Sequence, residues 1–344
     1  MDQVNKPVCQ GCGQDMQDHD PNLSNYVMNL DFELCMRCFR WRHYKDLPLL
    51  IKPIINVKQH TSLILPPHDE LLIVVDAFFL KETLLPLIPW MEHDQKVTLC
   101  VTKKDILAKH VKDNQVIEHV RKMLPAHLKS TNVMVCSVKI SASIEKVRKY
   151  LKAHPKGYRV VLIGMINAGK SSLLNALLSK ATLTTSPYPQ TTLDPVVLSY
   201  EHLQIIDTPG LSNQQHLFYH MDPKVYQKMI PTTAIKPIIY QLVLQQSIVI
   251  EDYVVINISS EQKVSVSIYV ASTLKVKRKK TMSDVSEWIN HKQIITTSLK
   301  PDENGIDFLI EGVGRVHVVG HIESIHVVSH PKIVISKSKG MITW

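Results

Sequence analysis

The chain has 344 residues, 44% of them hydrophobic, which excludes a disordered protein and allows two or three domains with their own cores. No apolar run reaches membrane-spanning length and the N-terminus MDQVNKPVCQ carries no apolar signal core, so a cytoplasmic chain without membrane contact is expected. Lys and Arg number 40 against 31 Asp and Glu, giving a net charge of +9 and a pI near 9.1; such a balance favours a polyanionic partner, nucleic acid before a membrane surface.

Residues 1–46 are polar and rich in cysteine, and they close on the basic, aromatic stretch RCFRWRHYK. Cys9-Gln-Gly-Cys12 and Cys35-Met-Arg-Cys38 form two CxxC knuckles. Two knuckles offer four thiolates to one ion, the closed tetrahedral shell of structural zinc, with no position left for water. A redox protein needs one CxxC beside a βαβ unit rather than two in a separate segment. Gly11 lets the first knuckle turn tightly. Cys100 and Cys136 lie inside apolar runs and read as small core residues, so no disulfide framework is expected.

Residues 47–218 alternate short apolar runs, LLIVVD, VTLCVT, VMVCS, RVVLIG and LQIID, with amphipathic helices. That alternation predicts a parallel α/β sheet. The second run ends in Thr102-Lys103-Lys104-Asp105, a guanine-reading signature. Asp105 can accept from guanine N1–H and the 2-amino group, donors that adenine lacks, while the stem of Lys103 lies over the base. After the third run, the backbone N–H groups of Ser137, Val138 and Lys139 are placed to approach the guanine O6, in preference to Ser141-Ala142.

RVVLIGMINAGKSSLLNALL reads as strand, loop and helix around GxxxxGKS, residues 164–171. Gly164 and Gly169 let the loop curl so that the N–H groups of Asn167, Ala168, Gly169, Lys170, Ser171 and Ser172 line a phosphate at a helix N-terminus. Lys170 neutralises the β and γ oxygens, and the Ser171 hydroxyl ligates magnesium. After LQIID, Asp207-Thr208-Pro209-Gly210 supplies an acidic group to hold magnesium through water and the Gly210 N–H to sense a γ-phosphate. Between them SPYPQTTLD offers Thr192 to complete the magnesium shell. The base motif thus precedes the phosphate loop, the reverse of the usual order in GTP-binding proteins.

From residue 219 to 344 the pattern changes to alternating β-branched runs such as VVINIS, VSVSIYV and VHVVG, which predicts an antiparallel, β-rich domain. The run Lys275-Val276-Lys277-Arg278-Lys279-Lys280 reads either as a solvated edge or as an RNA contact. A tight hairpin centred on Glu323-Ser324 would put His317, His321, His326 and His330 on one face, for a pH-sensitive phosphate contact or, less readily, a metal.

Zinc knuckles, then TKKDIL, GMINAGKSSLLN, TTLD and DTPG, then a β-rich tail: this order resembles the YqeH family of circularly permuted GTPases, associated with assembly of the small ribosomal subunit. The resemblance covers nearly the whole chain. It implies an α/β fold, a circularly permuted P-loop domain between an N-terminal zinc segment and a β-rich domain that meets RNA. It also implies a GTPase using GTP or GDP, magnesium and zinc, monomeric, with ribosomal RNA and the small subunit or its precursor as partners. Asn167 matches a loop Asn that supports a potassium ion in related GTPases; its alternative is a loop-forming role. Lys170, Asn167, Thr192 and Gly210 are the expected catalytic group. Thr102 stands where Asn is usual and so loses a bracing amide, Gln190 replaces a frequent Gly, Val138 an Ala, and Arg315 a Trp. Leu211 stands where many GTPases carry a water-orienting Gln, which implies slow intrinsic hydrolysis. Two other readings are a zinc-containing RNA-binding protein whose nucleotide domain senses but barely hydrolyses, and a small-molecule kinase, disfavoured by the guanine motif.

Overall fold

The structure, a computed structural model, describes residues 7–10, 15–19, 25–36, 38–39, 65, 67–92, 96–178, 196–208, 210–211, 217, 221, 223–280 and 294–338. The chain divides into two compact units, residues 1–104 with 117–214, and residues 105–116 with 215–344. The division falls inside the base motif, between Lys104 and Asp105.

In the first unit the small cysteine-bearing segment has its own core of Cys9, Met16, Val27, Cys35 and Cys38. Short bridges, Val8 to Asp15 and Gln17 to Tyr26, frame it. The larger part begins with β1 (Glu70–Asp76), followed by α1 (Leu80–Leu84), α2 (Ile88–Glu92), β2 (Val97–Thr102), α3 (Asp113–Met123, whose residues 113–116 fall in the second unit) and β3 (Asn132–Val135). It continues with α4 (Ser141–Lys152), β4 (Arg159–Gly164), α5 (Lys170–Leu178), β5 (Val196–Tyr200) and β6 (Leu203–Asp207). The strands form one sheet in the order β3-β2-β1-β4-β6-β5, parallel throughout except for the edge pair β5 and β6.

The strand sequences explain this. β1 is buried along its whole length and β4 from its second residue on, as expected of parallel strands covered on both faces. On α4, Ile144, Val147 and Leu151 recur at helical spacing and are the buried residues, while Lys149 and Lys152 sit in the last turn where the helix dipole favours cations. Renumbering the strands from β4, and placing β1 to β3 after β6, turns the order into 6-5-4-1-3-2. The permutation therefore leaves the sheet of an unpermuted domain intact and changes only where the chain is cut.

The second unit contains α6 (Pro223–Met229), β7 (Ile238–Ile250), β8 (Val254–Val270), β9 (Val276–Lys279), β10 (Ile295–Leu299), β11 (Gly305–Ile310), β12 (Gly314–Val319), β13 (Ser324–Ser329) and β14 (Ile335–Lys337). One core collects Ile256, Ile258, Val266, Ile268, Phe308, Val316 and Ile325 among others. β8 is 17 residues long, and its two halves take different partners. Val254–Ser259 pair with β13, and Ser265–Val270 with β12. The expected histidine hairpin is therefore corrected, because β12 and β13 each pair with β8 rather than with one another. His317 lies beside Asp307 and Ser267, whereas His326 lies beside Asn257 and Ser298.

Candidate functional site

The phosphate loop leaves β4 at Gly164, directly beside Val74 of β1. A Cβ on Gly164 would lie 2.7 Å from the Val74 carbonyl oxygen, so no larger residue fits without moving the strand. Gly169 has φ +97, the left-handed region that glycine enters without strain. Between them Asn167 takes φ 60. Lys170 opens α5, whose Leu173, Leu174 and Leu177 pack it onto the sheet. The Lys170 ammonium is 2.8 Å from Asp207 Oδ1 and 2.5 Å from the Thr208 carbonyl, and both side chains are buried.

The segment after Asp207 is clamped to the loop. Leu211 N–H donates to the Gly164 carbonyl at 3.0 Å and the Ile166 N–H donates to the Leu211 carbonyl at 2.8 Å. Thr208 turns its hydroxyl back to the Leu162 carbonyl at 2.7 Å. The Leu211 side chain is buried, consistent with an apolar packing role at the position where a water-orienting glutamine would stand. Pro209 and Thr192 lie outside the described residues, as does the whole SPYPQTTLD stretch.

The base motif begins at the C-terminal end of β2, the edge at which α/β sheets hold ligands. The Thr102 hydroxyl donates to the Ala168 carbonyl at 2.5 Å, so the expected loss of a brace at this position is corrected: a hydroxyl supplies it. The Lys103 ammonium bonds Asp76 Oδ2 at 2.6 Å and the Asn167 carbonyl at 2.5 Å. Lys104 N–H donates to the Cys136 carbonyl at 3.1 Å, which ties the motif to the turn after β3. In that turn the Ser137 hydroxyl accepts from the Lys139 N–H at 3.1 Å, and the Ser137 N–H donates to Ser143 Oγ at 2.9 Å. Ser141 and Ala142 belong to α4, so Ser137, Val138 and Lys139 form the connecting turn itself. Asp105 follows within the turn Lys104–Ile106 and falls in the second unit.

Two side chains escaped the sequence analysis. Asp76 was visible only as a charge ending an apolar run. Arg148 of α4 donates to the Ala176 carbonyl at 2.6 Å, capping the end of α5 with a cation; a basic residue on a polar helix face carried no signal of that contact.

Cys9, Cys35 and Cys38 are all buried and their sulfurs lie within 4.8 Å of one another, close enough to offer three corners of a tetrahedral thiolate shell. The Cys35 N–H points at Cys9 Sγ, 3.1 Å away. Cys12, the fourth expected ligand, and Gly11 lie outside the described residues. This trio is the one group of potential ligands found among the described residues. Cys100 and Cys136 stand apart from it, Sγ to Sγ 3.4 Å; the neighbouring Cys136 thiol and complete burial push Cys100 well above the usual thiol range, which keeps it protonated and inert.

Fold and motif order together define a circularly permuted P-loop GTPase. A family model described as RsgA GTPase matches residues 64–217, base motif and phosphate loop in this same order, and one described as 50S ribosome-binding GTPase matches residues 159–296, starting at β4. The chain is 25% identical over 260 residues to the uncharacterized protein YqeH of Bacillus subtilis, a match covering 71% of this chain and 70% of that one. It is 32% identical over 170 residues to the tRNA modification GTPase MnmE of Desulforamulus reducens, covering 48% of this chain but only 36% of that protein. The structure of YjeQ from Thermotoga maritima aligns with a TM-score of 0.29 at 22% identity, over 42% of this chain and 48% of that one. No helix among the described residues is long and apolar enough to cross a membrane.

Proposed function

We propose that the chain binds GTP at the C-terminal edge of the β3-β2-β1-β4-β6-β5 sheet, hydrolyses it slowly, and uses the nucleotide state to control its hold on ribosomal RNA of the small subunit or its precursor. The observation that carries the reading is the buried pair Lys170 and Asp207, 2.8 Å apart at the mouth of the phosphate loop. A buried ion pair is weak evidence of a purely stabilising role. This one consists of the two groups that a nucleotide triphosphate and its cation would each claim, Lys170 for the phosphates and Asp207 for the metal's water shell.

Magnesium would neutralise charge on the β and γ oxygens, and Ser171, Asp207 and Thr192 are the residues that would hold it. Asn167 is proposed to support a potassium ion, and Gly210 to sense the γ-phosphate through its N–H. Asp105 selects guanine, with Thr102, Lys103 and the turn Ser137–Lys139 shaping the base pocket. Zinc would fold the N-terminal segment through Cys9, Cys12, Cys35 and Cys38.

Leu211 bridges the phosphate loop, and Leu217, six residues on, is buried in the core of the β-rich unit. The short sequence separation between the two supports coupling of γ-phosphate to the tail. In the tail, β9 pairs with β7 along one side and carries exposed Lys277, Arg278 and Lys279. These cations suit a phosphate backbone, and they equally blunt an open strand edge. The related 50S ribosome-binding GTPase and RsgA GTPase models support a ribosomal partner.

Buried Leu211 also favours the second reading, a sensor that scarcely turns over. Multiple-turnover hydrolysis with and without small subunits separates the two. Stimulation by subunits supports the assembly GTPase; rates that remain at background in both arms favour the sensor.

A further inference from the structure

Asp76 ends β1, a strand buried from Glu70 onward. A carboxylate so placed is costly unless its oxygens are satisfied, and here the two oxygens have divided tasks. Oδ1 accepts from the Phe78 N–H at 2.8 Å and the Phe79 N–H at 3.2 Å, fixing the turn into α1. The Asp76 N–H donates to Thr83 Oγ1 at 3.0 Å, which holds the residue from behind. Oδ2 remains for the Lys103 ammonium at 2.6 Å. That ammonium also reaches the Asn167 carbonyl at 2.5 Å. A single cation therefore joins the end of β1, the base motif and the phosphate loop.

We propose that Asp76 is a positioning residue for guanine-nucleotide binding, acting through Lys103. This rests on the reading of residues 102–105 as the base motif. A lysine stem is flexible and loses rotamer entropy when it must lie as a shelf under a base. With its head pinned by Asp76 and Asn167, that loss is met on folding rather than on binding, which favours affinity. The backbone supports the same view: Lys103 has φ 58 and Asn167 has φ 60, conformations that L residues hold only when their surroundings compensate. Because Asp76 acts through Lys103 at the base motif, its effect should fall equally on GTP and GDP.

The test uses the full-length chain and fluorescent GDP, with thermal unfolding followed for each variant. Asp76→Asn preserves size and removes charge; it should raise the Kd about tenfold or more, the scale of one hydrogen bond to a charged group. Asp76→Glu should recover part of this, and the ratio of GTP to GDP affinity should stay as in the wild type. In a Lys103→Ala background, Asp76→Asn should change the Kd by less than about twofold, because the two residues act as one unit. An unchanged Kd in the single variant, or the same loss with and without Lys103, overturns the proposal. If Asp76→Asn does not fold, the cycle is run with Asp76→Glu, and additive losses there overturn it. A wild type that binds GTP and ATP equally overturns the base-motif reading and this proposal together; selective binding with an indifferent Asp76 overturns this proposal alone.

Discussion

The buried Thr102 hydroxyl donates to the Ala168 carbonyl at 2.5 Å, joining the first residue of the base motif to the phosphate loop. Gly169 lies against the same group, its virtual Cβ 3.1 Å from Thr102 Oγ1. An amide at position 102 would brace the loop by a longer reach; the hydroxyl does so because glycine lets the two segments approach. Thr102→Val keeps the shape and strands a buried carbonyl. It should cost about 1–3 kcal/mol of stability and speed nucleotide release. Urea unfolding and GDP release rates check both, and an unaltered release rate would show the brace to be irrelevant to the site.

Asp105 is proposed to read the base. Asp105→Asn should weaken GTP binding by about a hundredfold, the cost of unpaired polar groups in a hydrogen-bonding site, and should admit xanthine nucleotides, whose 2-oxo group suits an amide donor. Competition binding with GTP, XTP and ATP decides this. Retained preference for GTP in the variant would assign base reading elsewhere.

The thiol cluster makes a separable claim. Metal analysis of the purified chain should find one zinc, lost on replacing Cys35 and Cys38 by Ser, while guanine-nucleotide binding survives, because the cysteine segment has its own small core. Full zinc in the double variant would show that other groups ligate it.

At the opposite end of the sheet, Glu70 is buried and gathers Tyr150 at 2.5 Å, Lys96 at 3.4 Å and His154 at 3.2 Å. His154 stacks on Tyr158 and meets the Tyr150 ring edge to face. Burial lowers the His154 pKa from 6.5 despite the nearby Glu70 carboxylate, with Lys96 and His202 adding to the lowering. A depressed histidine favours the folded state when neutral, so its contribution is complete above about pH 6.5 and is lost as pH falls through the lower folded value. Thermal midpoints measured from pH 7.5 to 5 should decline below about 6.5, and His154→Gln should flatten that part of the profile. An identical profile in the variant would remove His154 from the account.

The phosphate loop was legible because its chemistry fixes the spacing: Gly164, Gly169, Lys170 and Ser171 have few substitutes. The sheet was legible because runs such as ELLIVVD and RVVLIG are buried on both faces and show it in composition. Asp76 was not, since one carboxylate closing an apolar run fits a simple turn cap equally well. The histidine arrangement was misread for a related reason. Alternation marks β12 and β13 as strands, but their partners are chosen by distant segments of β8, and local pattern carries no record of that choice. The hydroxyl brace at Thr102 needed the third dimension too, because Ala168 is 66 residues away.

The central claim is that nucleotide state, sensed at Gly210 and Leu211, sets the affinity of the β-rich unit for its RNA. Linkage requires the reverse as well, that RNA alters GTP affinity by the same factor. The direct measurement is the Kd for small-subunit RNA, or for the subunit itself, with a non-hydrolysable GTP analogue, with GDP and with no nucleotide. The account predicts that the analogue and GDP states differ by about fivefold or more, the lower end of ordinary allosteric coupling. Three identical affinities would contradict it, leaving the tail an anchor that the nucleotide does not govern.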